Sequence, residues 1–166
     1  MNLDEIGDGS TVFIDTNALI YARTGKSEEC RRLIARCHSR AVSGVISSFV
    51  VAEFCHRRMM QEAQASGKAT SNPSRALAQR PELVKRLSVY ADDVRALLGG
   101  ELTLRESDEV DFAVSLKIQR QFGLLTIDSI NLAVMRRAGI DGIVTADSNF
   151  DRVQGLVLYK PGDLTV

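Results

Sequence analysis

The chain has 166 residues, 45% hydrophobic and 25% charged, with 21 Lys and Arg against 21 Asp and Glu for a formal net charge of zero. That length and balance fit one soluble domain able to bury a core, and neutrality gives no global pull toward nucleic acid, so any such binding needs a local basic patch. No apolar run reaches the ~18 residues that cross a bilayer, and the acidic start Met1-Asn2-Leu3-Asp4-Glu5 is no signal peptide. A cytoplasmic protein with no membrane partner is therefore expected.

In chain order, residues 1–10 contain Gly7, Gly9 and several acids and read as a lead-in that need not be ordered. Thr11-Val12-Phe13-Ile14 is an apolar, strand-forming run that meets Asp15 and then a helical stretch, Ala18 to Ala22, ending near Gly25. Ser27 can cap a second helix carrying Cys30, Leu33, Ile34 and Cys37 at helical spacing. Residues 42–46 read as a second strand, and Ser47 or Ser48 can cap a helix whose inward stripe is Phe49, Val50, Glu53 and Phe54. Residues 66–74 are polar and rich in breakers, and are expected to form a mobile loop. Pro81 suits the first turn of one long amphipathic helix over residues 81–98, stopped by Gly99-Gly100.

Residues 102–104 are a third strand, and Ser107 is expected to cap a helix whose apolar residues are Phe112, Ala113, Leu116, Ile118 and Phe122, ending at Gly123. A further helix runs from about Asp128 to Gly139. Residues 143–145 and 156–159 are the last two strands. Strands alternating with helices predict an α/β fold, a three-layer domain with a mostly parallel sheet between helices, over residues 1–166, with a helical elaboration at about 63–100.

Cys30, Cys37 and Cys55 are odd in number and lack C-x-x-C spacing, which argues for free thiols over disulfides or structural zinc. His56 follows Glu53 by three residues, but without a second Glu-x-x-His pair a di-iron bundle is not supported. His38 and His56 read as surface groups, with a supporting role near the acids also open to His56.

Four acids remain. Asp15 and Asp147 each follow a strand, and Glu53 and Asp128 each lie early on a helix. Singly, Asp15 could cap, Asp128 could complement a helix dipole and Asp147 could sit in a turn. Only Glu53, on an apolar stripe, lacks such an explanation. In a parallel sheet, strand ends and the following helix starts meet at one edge, so the four can converge. Clustered hard oxygen ligands suit Mg²⁺ or Mn²⁺ and chemistry on phosphate esters.

Phe13-Ile14-Asp15-Thr16-Asn17, Glu53 on the helix after the second strand, Phe122-Gly123 followed by Asp128-Ser129-Ile130-Asn131-Leu132-Ala133, and Val144-Thr145-Ala146-Asp147-Ser148-Asn149-Phe150 resemble the PIN-domain nucleases, VapC toxins of toxin and antitoxin pairs in particular. The resemblance spans nearly the whole chain in order. It implies a Mg²⁺- or Mn²⁺-dependent endoribonuclease with Asp15, Glu53, Asp128 and Asp147 as catalytic metal ligands and Asp151 as an outer fifth. It also implies Thr16, Asn17 and Thr145 as orienting groups and a cognate antitoxin as partner. The stretch from about 63 to 98 is longer than in a minimal VapC toxin. Arg57, Arg58, Arg136 and Arg137, with Arg23 and Lys26, are candidates for RNA phosphate contacts. The apolar stripe of residues 81–98 suggests a homodimer or antitoxin interface. Alternatives are a catalytically silent PIN-like protein-binding module, an RNA-processing nuclease that is not a toxin, and a DNA nuclease.

Overall fold

The computed structural model describes residues 1–67 and 72–164 of the chain. It divides into two compact units, one of Met1–Val51 with Glu101–Val166 and one of Ala52–Gly100.

The first unit is built on a parallel sheet of five strands, β1 (Thr11–Ile14), β2 (Ser43–Ser47), β3 (Thr103–Arg105), β4 (Gly142–Val144) and β5 (Val157–Tyr159), in the spatial order β3-β2-β1-β4-β5. Helices α1 (Thr16–Thr24), α2 (Glu28–His38), α7 (Glu109–Phe122) and α8 (Thr126–Arg137) flank it, α1 packing on α2 and α7 on α8. This is the α/β class the strand and helix alternation predicts. Val12, Phe13, Ile14, Val45, Ile46, Ile143 and Val144 are buried, because strands covered on both faces are apolar at every position.

Local chemistry explains most boundaries. The Ser27 hydroxyl accepts from Cys30 N (3.0 Å) and starts α2, while Gly25 (φ 71°) and Gly123 (φ 66°) take the left-handed conformation that ends α1 and α7. Gly44 has a different reason: a Cβ there would lie 2.6 Å from Leu102 Cδ2, 2.8 Å from Cys37 Sγ and 2.9 Å from Ile14 Cδ1.

Three expectations for this unit need correction. Residues 1–10 are not a loose lead-in: Leu3 and Ile6 are buried, Asn2 caps a short 3₁₀ turn at Leu3–Glu5, and the Met1 amino group donates to Leu158 O. The apolar pair three residues apart anchors this segment. At α7 the cap is Asp108, in a reciprocal box with Asp111, and Ser107 N donates to Ser48 Oγ instead. The inward stripe of α7 is also rotated, leaving Phe112 45% and Leu116 61% exposed while Asp111, Ser115 and Ile118 are buried. An acid can occupy that face because Arg137 on α8 pairs with it.

Helix α3 (Ser48–Ala65) begins in the first unit, its first turn tied by Val50 N donating to Ser47 Oγ (3.1 Å), and continues into the second. The second unit adds α4 (Pro73–Gln79), α5 (Pro81–Val84) and α6 (Val89–Leu98) around Ala63, Leu77 and Leu87. Of the expected loop at 66–74, residues 68–71 lie outside the described residues. Asn72 caps α4, so Pro73 opens a helix where a loop was expected. The single helix expected over 81–98 is two, because Glu62 on α3 caps a new start, its carboxylate accepting from Ser88 N and Tyr90 N (both 2.9 Å). The innermost residue of α6 is not apolar but Asp93, 2.7 Å from Arg58, with side chains 0% and 14% exposed respectively. No described helix is long and apolar enough to cross a membrane.

Candidate active site

The sheet register arranges polar residues along one edge. Phe13 pairs with Val45, Ile14 with Val144, Ser47 with Arg105 and Val144 with Tyr159. Continuing each parallel register places Arg105, Ser47, Asp15, Thr145 and Lys160 in one row across the carboxyl ends of the strands. This edge is where open α/β sheets bind ligands.

Asp15 occupies the centre of the row and is 6% exposed. Its Oδ1 accepts from Thr16 N (2.8 Å), while Oδ2 accepts from Asn17 Nδ2 (3.1 Å) and Thr145 Oγ1 (2.8 Å). Asp15 thus caps α1 with one oxygen and is oriented on the other by two side chains. Thr145 Oγ1 also accepts from Asp147 N (3.0 Å), so a single hydroxyl ties the Asp15 carboxylate to the backbone of Asp147. Asp147 caps the 3₁₀ turn Ser148–Arg152, its oxygens accepting from Asn149 N (2.8 Å) and Asn149 Nδ2 (3.0 Å). Asp128 is half-buried in the first turn of α8, whose preceding residue Leu125 offers no side-chain cap.

The other candidates stand in different surroundings. Glu53, on α3 in the second unit, is not buried on an apolar stripe: Val50 and Phe54 are buried, but Phe49 is half-buried and the Glu53 side chain is 30% exposed. Arg57 lies 3.6 Å from it, so its charge is partly solvated and partly balanced. Asp151 is exposed and pairs with Lys160 Nζ at 2.5 Å. Among the described residues no three His, Cys, Asp or Glu side chains stand together closely enough to hold a metal ion. Asp15 and Asp147, brought together through Thr145, nonetheless offer carboxylate oxygens at this edge, and Mg²⁺ commonly takes one or two carboxylates and keeps several waters instead of filling a protein cage. That pair fits such an ion.

Each arginine expected to contact substrate has an intrachain partner. Arg57 faces Glu53, Arg58 pairs with Asp93, and Arg136 lies 5.4 Å from the centre of the Phe122 ring. Arg137 binds Asp111 through Nε to Oδ1 (2.9 Å) and Nη2 to Oδ2 (2.8 Å), which holds the Asp111 carboxyl below its ordinary range. Burial pushes the Cys30 thiol up and the Cys37 thiol up to about 11, so both are inert. All three cysteines are free, Cys55 being half-buried. His38 and His56 are exposed.

Sequence reading passed over Arg105 and Lys160 at the ends of the row, and the bond between Ser47 in the row and Asn131 on α8. Ser47 Oγ donates to Asn131 Oδ1 at 2.6 Å, both residues being buried. The available signal was a lone Asn among Ile130, Leu132 and Ala133, and a basic residue at the carboxyl end of each edge strand, Arg105 closing β3 and Lys160 following β5.

The sequence model of the PIN domain matches residues 12–156. No curated protein matches the chain in sequence. Among solved structures, it is similar to VapBC2 from Rickettsia felis bound to a DNA fragment from its promoter, at 15% identity and TM-score 0.56, covering 90% of this chain and 98% of that one. A toxin-antitoxin complex from Klebsiella pneumoniae is similar at 16% identity and TM-score 0.57, covering 88% and 95%. VapC20 from Mycobacterium tuberculosis, described as a sarcin-ricin loop cleaving toxin, is similar at 17% identity and TM-score 0.52, covering 86% and 95%. At these identities the structures speak for the fold, and the family match covers most of the sequence that builds it. By that family match the chain belongs to the PIN domain family.

Proposed function

We propose that this protein is a Mg²⁺- or Mn²⁺-dependent endoribonuclease that hydrolyses RNA phosphodiester bonds, acting in the cytoplasm as the toxin of a VapBC-type pair. The observation that carries the reading is the linkage at the carboxyl edge of the sheet in which the Thr145 hydroxyl donates to the Asp15 carboxylate and accepts from the Asp147 backbone amide, setting the two acidic residues side by side. Asp15, Asp147 and Asp128 would hold the ion, with Asp151 an outer candidate released from Lys160. A bound divalent ion supplies Lewis-acid stabilisation of phosphate charge and a water of lowered pKa. Thr145, Asn17 and the backbone of Thr16 fix the Asp15 carboxylate so that it need not reorganise when substrate arrives. No side chain has to act as nucleophile.

Glu53 enters this reading from its sequence setting, and Glu53→Gln tests it separately. A cognate antitoxin is proposed with it, in keeping with solved structures described as VapBC and toxin-antitoxin complexes, and a homodimer is proposed alongside. Pure protein should cleave RNA with Mg²⁺ or Mn²⁺, lose that activity in EDTA and in Asp15→Asn, and melt at a higher temperature with Mn²⁺ through binding to the folded state. DNA offered in parallel separates a DNA nuclease. An absence of cleavage together with an absence of any Mn²⁺ shift would sink the reading.

A second reading, a catalytically silent PIN-like binding module, is favoured by one observation: among the described residues no three acids stand together as a metal-holding group. Binding of a partner without cleavage of either nucleic acid would select it.

A further inference from the structure

On the first unit, a cavity of about 260 Å³ is lined by Arg105, Val134, Arg137 and Ala138. It is smaller than the ~300–1,000 Å³ usual for whole small-molecule ligands, so it suits one group of a larger ligand. Its two cations are prepared differently. The Arg137 guanidinium is fixed by both oxygens of Asp111 and by Glu106 O (2.7 Å), bonds that use Nε and Nη2 and leave Nη1. Arg105 is exposed at the end of β3 and has no ion pair among the described residues.

The nearby carboxylates do not cancel this charge. Asp111 is 2% exposed and both its oxygens are on Arg137. Asp108 Oδ2 is 3.9 Å from Arg137 Nε, and its Oδ1 accepts from Val110 N and Asp111 N in the cap of α7. One neutralised pair plus one unpaired cation leaves the cavity suited to a single negative charge.

We propose that Arg105 and Arg137 form a pocket for a backbone phosphodiester of the RNA, away from the bond that is cut. The inference rests on the nuclease reading above. Placement selects a phosphodiester over the carboxylate of an acidic protein partner. By register Arg105 lies in the same edge row as Asp15, two strands away, a lateral distance of roughly 10 Å. A strand whose scissile phosphate sits at the acids therefore carries further phosphates toward Arg105.

The test is binding of a fluorescent single-stranded RNA to the full chain in EDTA, which prevents cleavage, over a series of salt concentrations. Each phosphate contact contributes about 0.7 to the slope of log affinity against log salt for single strands. Arg105→Ala should weaken binding several-fold and lower the slope by about 0.7, and Arg105→Lys should keep the slope. Among the described residues the Arg105 side chain has no hydrogen bond or ion pair, so thermal melts of both variants should match wild type. An unchanged slope in Arg105→Ala overturns the pocket while leaving the nuclease reading in place. Competition by polyglutamate peptide that depends on Arg105, with an unchanged RNA slope, would assign the cavity to an acidic partner and overturn the proposal. Wild-type protein that neither binds nor cuts RNA overturns both.

Discussion

The Ser47 hydroxyl donates to Asn131 Oδ1 at 2.6 Å, joining the end of β2 to α8 one turn below Asp128. Both side chains are buried, so the bond has no water to replace it. Asn131→Leu strands the Ser47 donor and should cost about 1–3 kcal/mol. The double variant with Ser47→Ala should recover part of that loss, because the orphan is then removed. Urea denaturation of the four proteins checks the cycle, and strict additivity would deny the coupling. If α8 also holds Asp128 in place through this bond, Asn131→Leu should reduce the Mn²⁺-induced rise in melting temperature.

Thr145 uses one oxygen twice, donating to the Asp15 carboxylate and accepting from the Asp147 backbone N–H. Thr145→Val keeps the shape and removes the hydroxyl. RNA cleavage should fall by at least about tenfold, as when a single preorganised hydrogen bond is lost. Thr145→Ser should restore most of the rate. Equal rates for the Val and Ser variants would mean the hydroxyl does not matter.

Gly44→Ala places a methyl group against Leu102, Cys37 and Ile14 at distances where something must move. The expected cost is about 1–3 kcal/mol, typical of overpacking a core. It should appear as a lower urea midpoint with unchanged m-value.

Asp111 sets a pH dependence. Its carboxyl is held low chiefly by the Arg137 hydrogen bonds, against the opposing effect of burial. A depressed folded pKa means the pair stabilises fully above the unfolded carboxylate range, near pH 4, and that this stability is lost as pH falls through the lower folded value. Asp111→Asn should therefore lower stability at neutral pH and flatten the acid limb. Urea midpoints from pH 7 down to pH 2.5 check the sign: a variant with an acid limb as steep as wild type would contradict it.

Features that depend on neighbouring residues were readable in the sequence. Thr11–Ile14 meeting Asp15, Ser27 ahead of α2, and Gly25 and Gly123 after their helices all follow from local propensity. What escaped depends on distant partners. The break between α5 and α6 is made by Glu62, 26 residues before Ser88. The rotation of α7 follows from Arg137, 26 residues after Asp111. Periodicity alone could not distinguish Asp111 from a solvent-facing acid, nor foresee that Arg58 would be committed to Asp93. The edge row of Arg105, Asp15 and Lys160 is a property of strand register, which no single segment encodes.

Asp15 and Thr145 are 130 residues apart in the chain yet share a hydrogen bond, because β1 lies between an early strand and a late one. During synthesis β1 and β2 can pair long before β4 has left the ribosome, and N-terminal segments wait seconds for their C-terminal partners at about 5–20 residues per second. The acidic edge is therefore incomplete until β4 and the Thr145 that follows it have emerged. On the nuclease reading proposed above, a chain assembled in this order would be held inactive beside its own message for that interval.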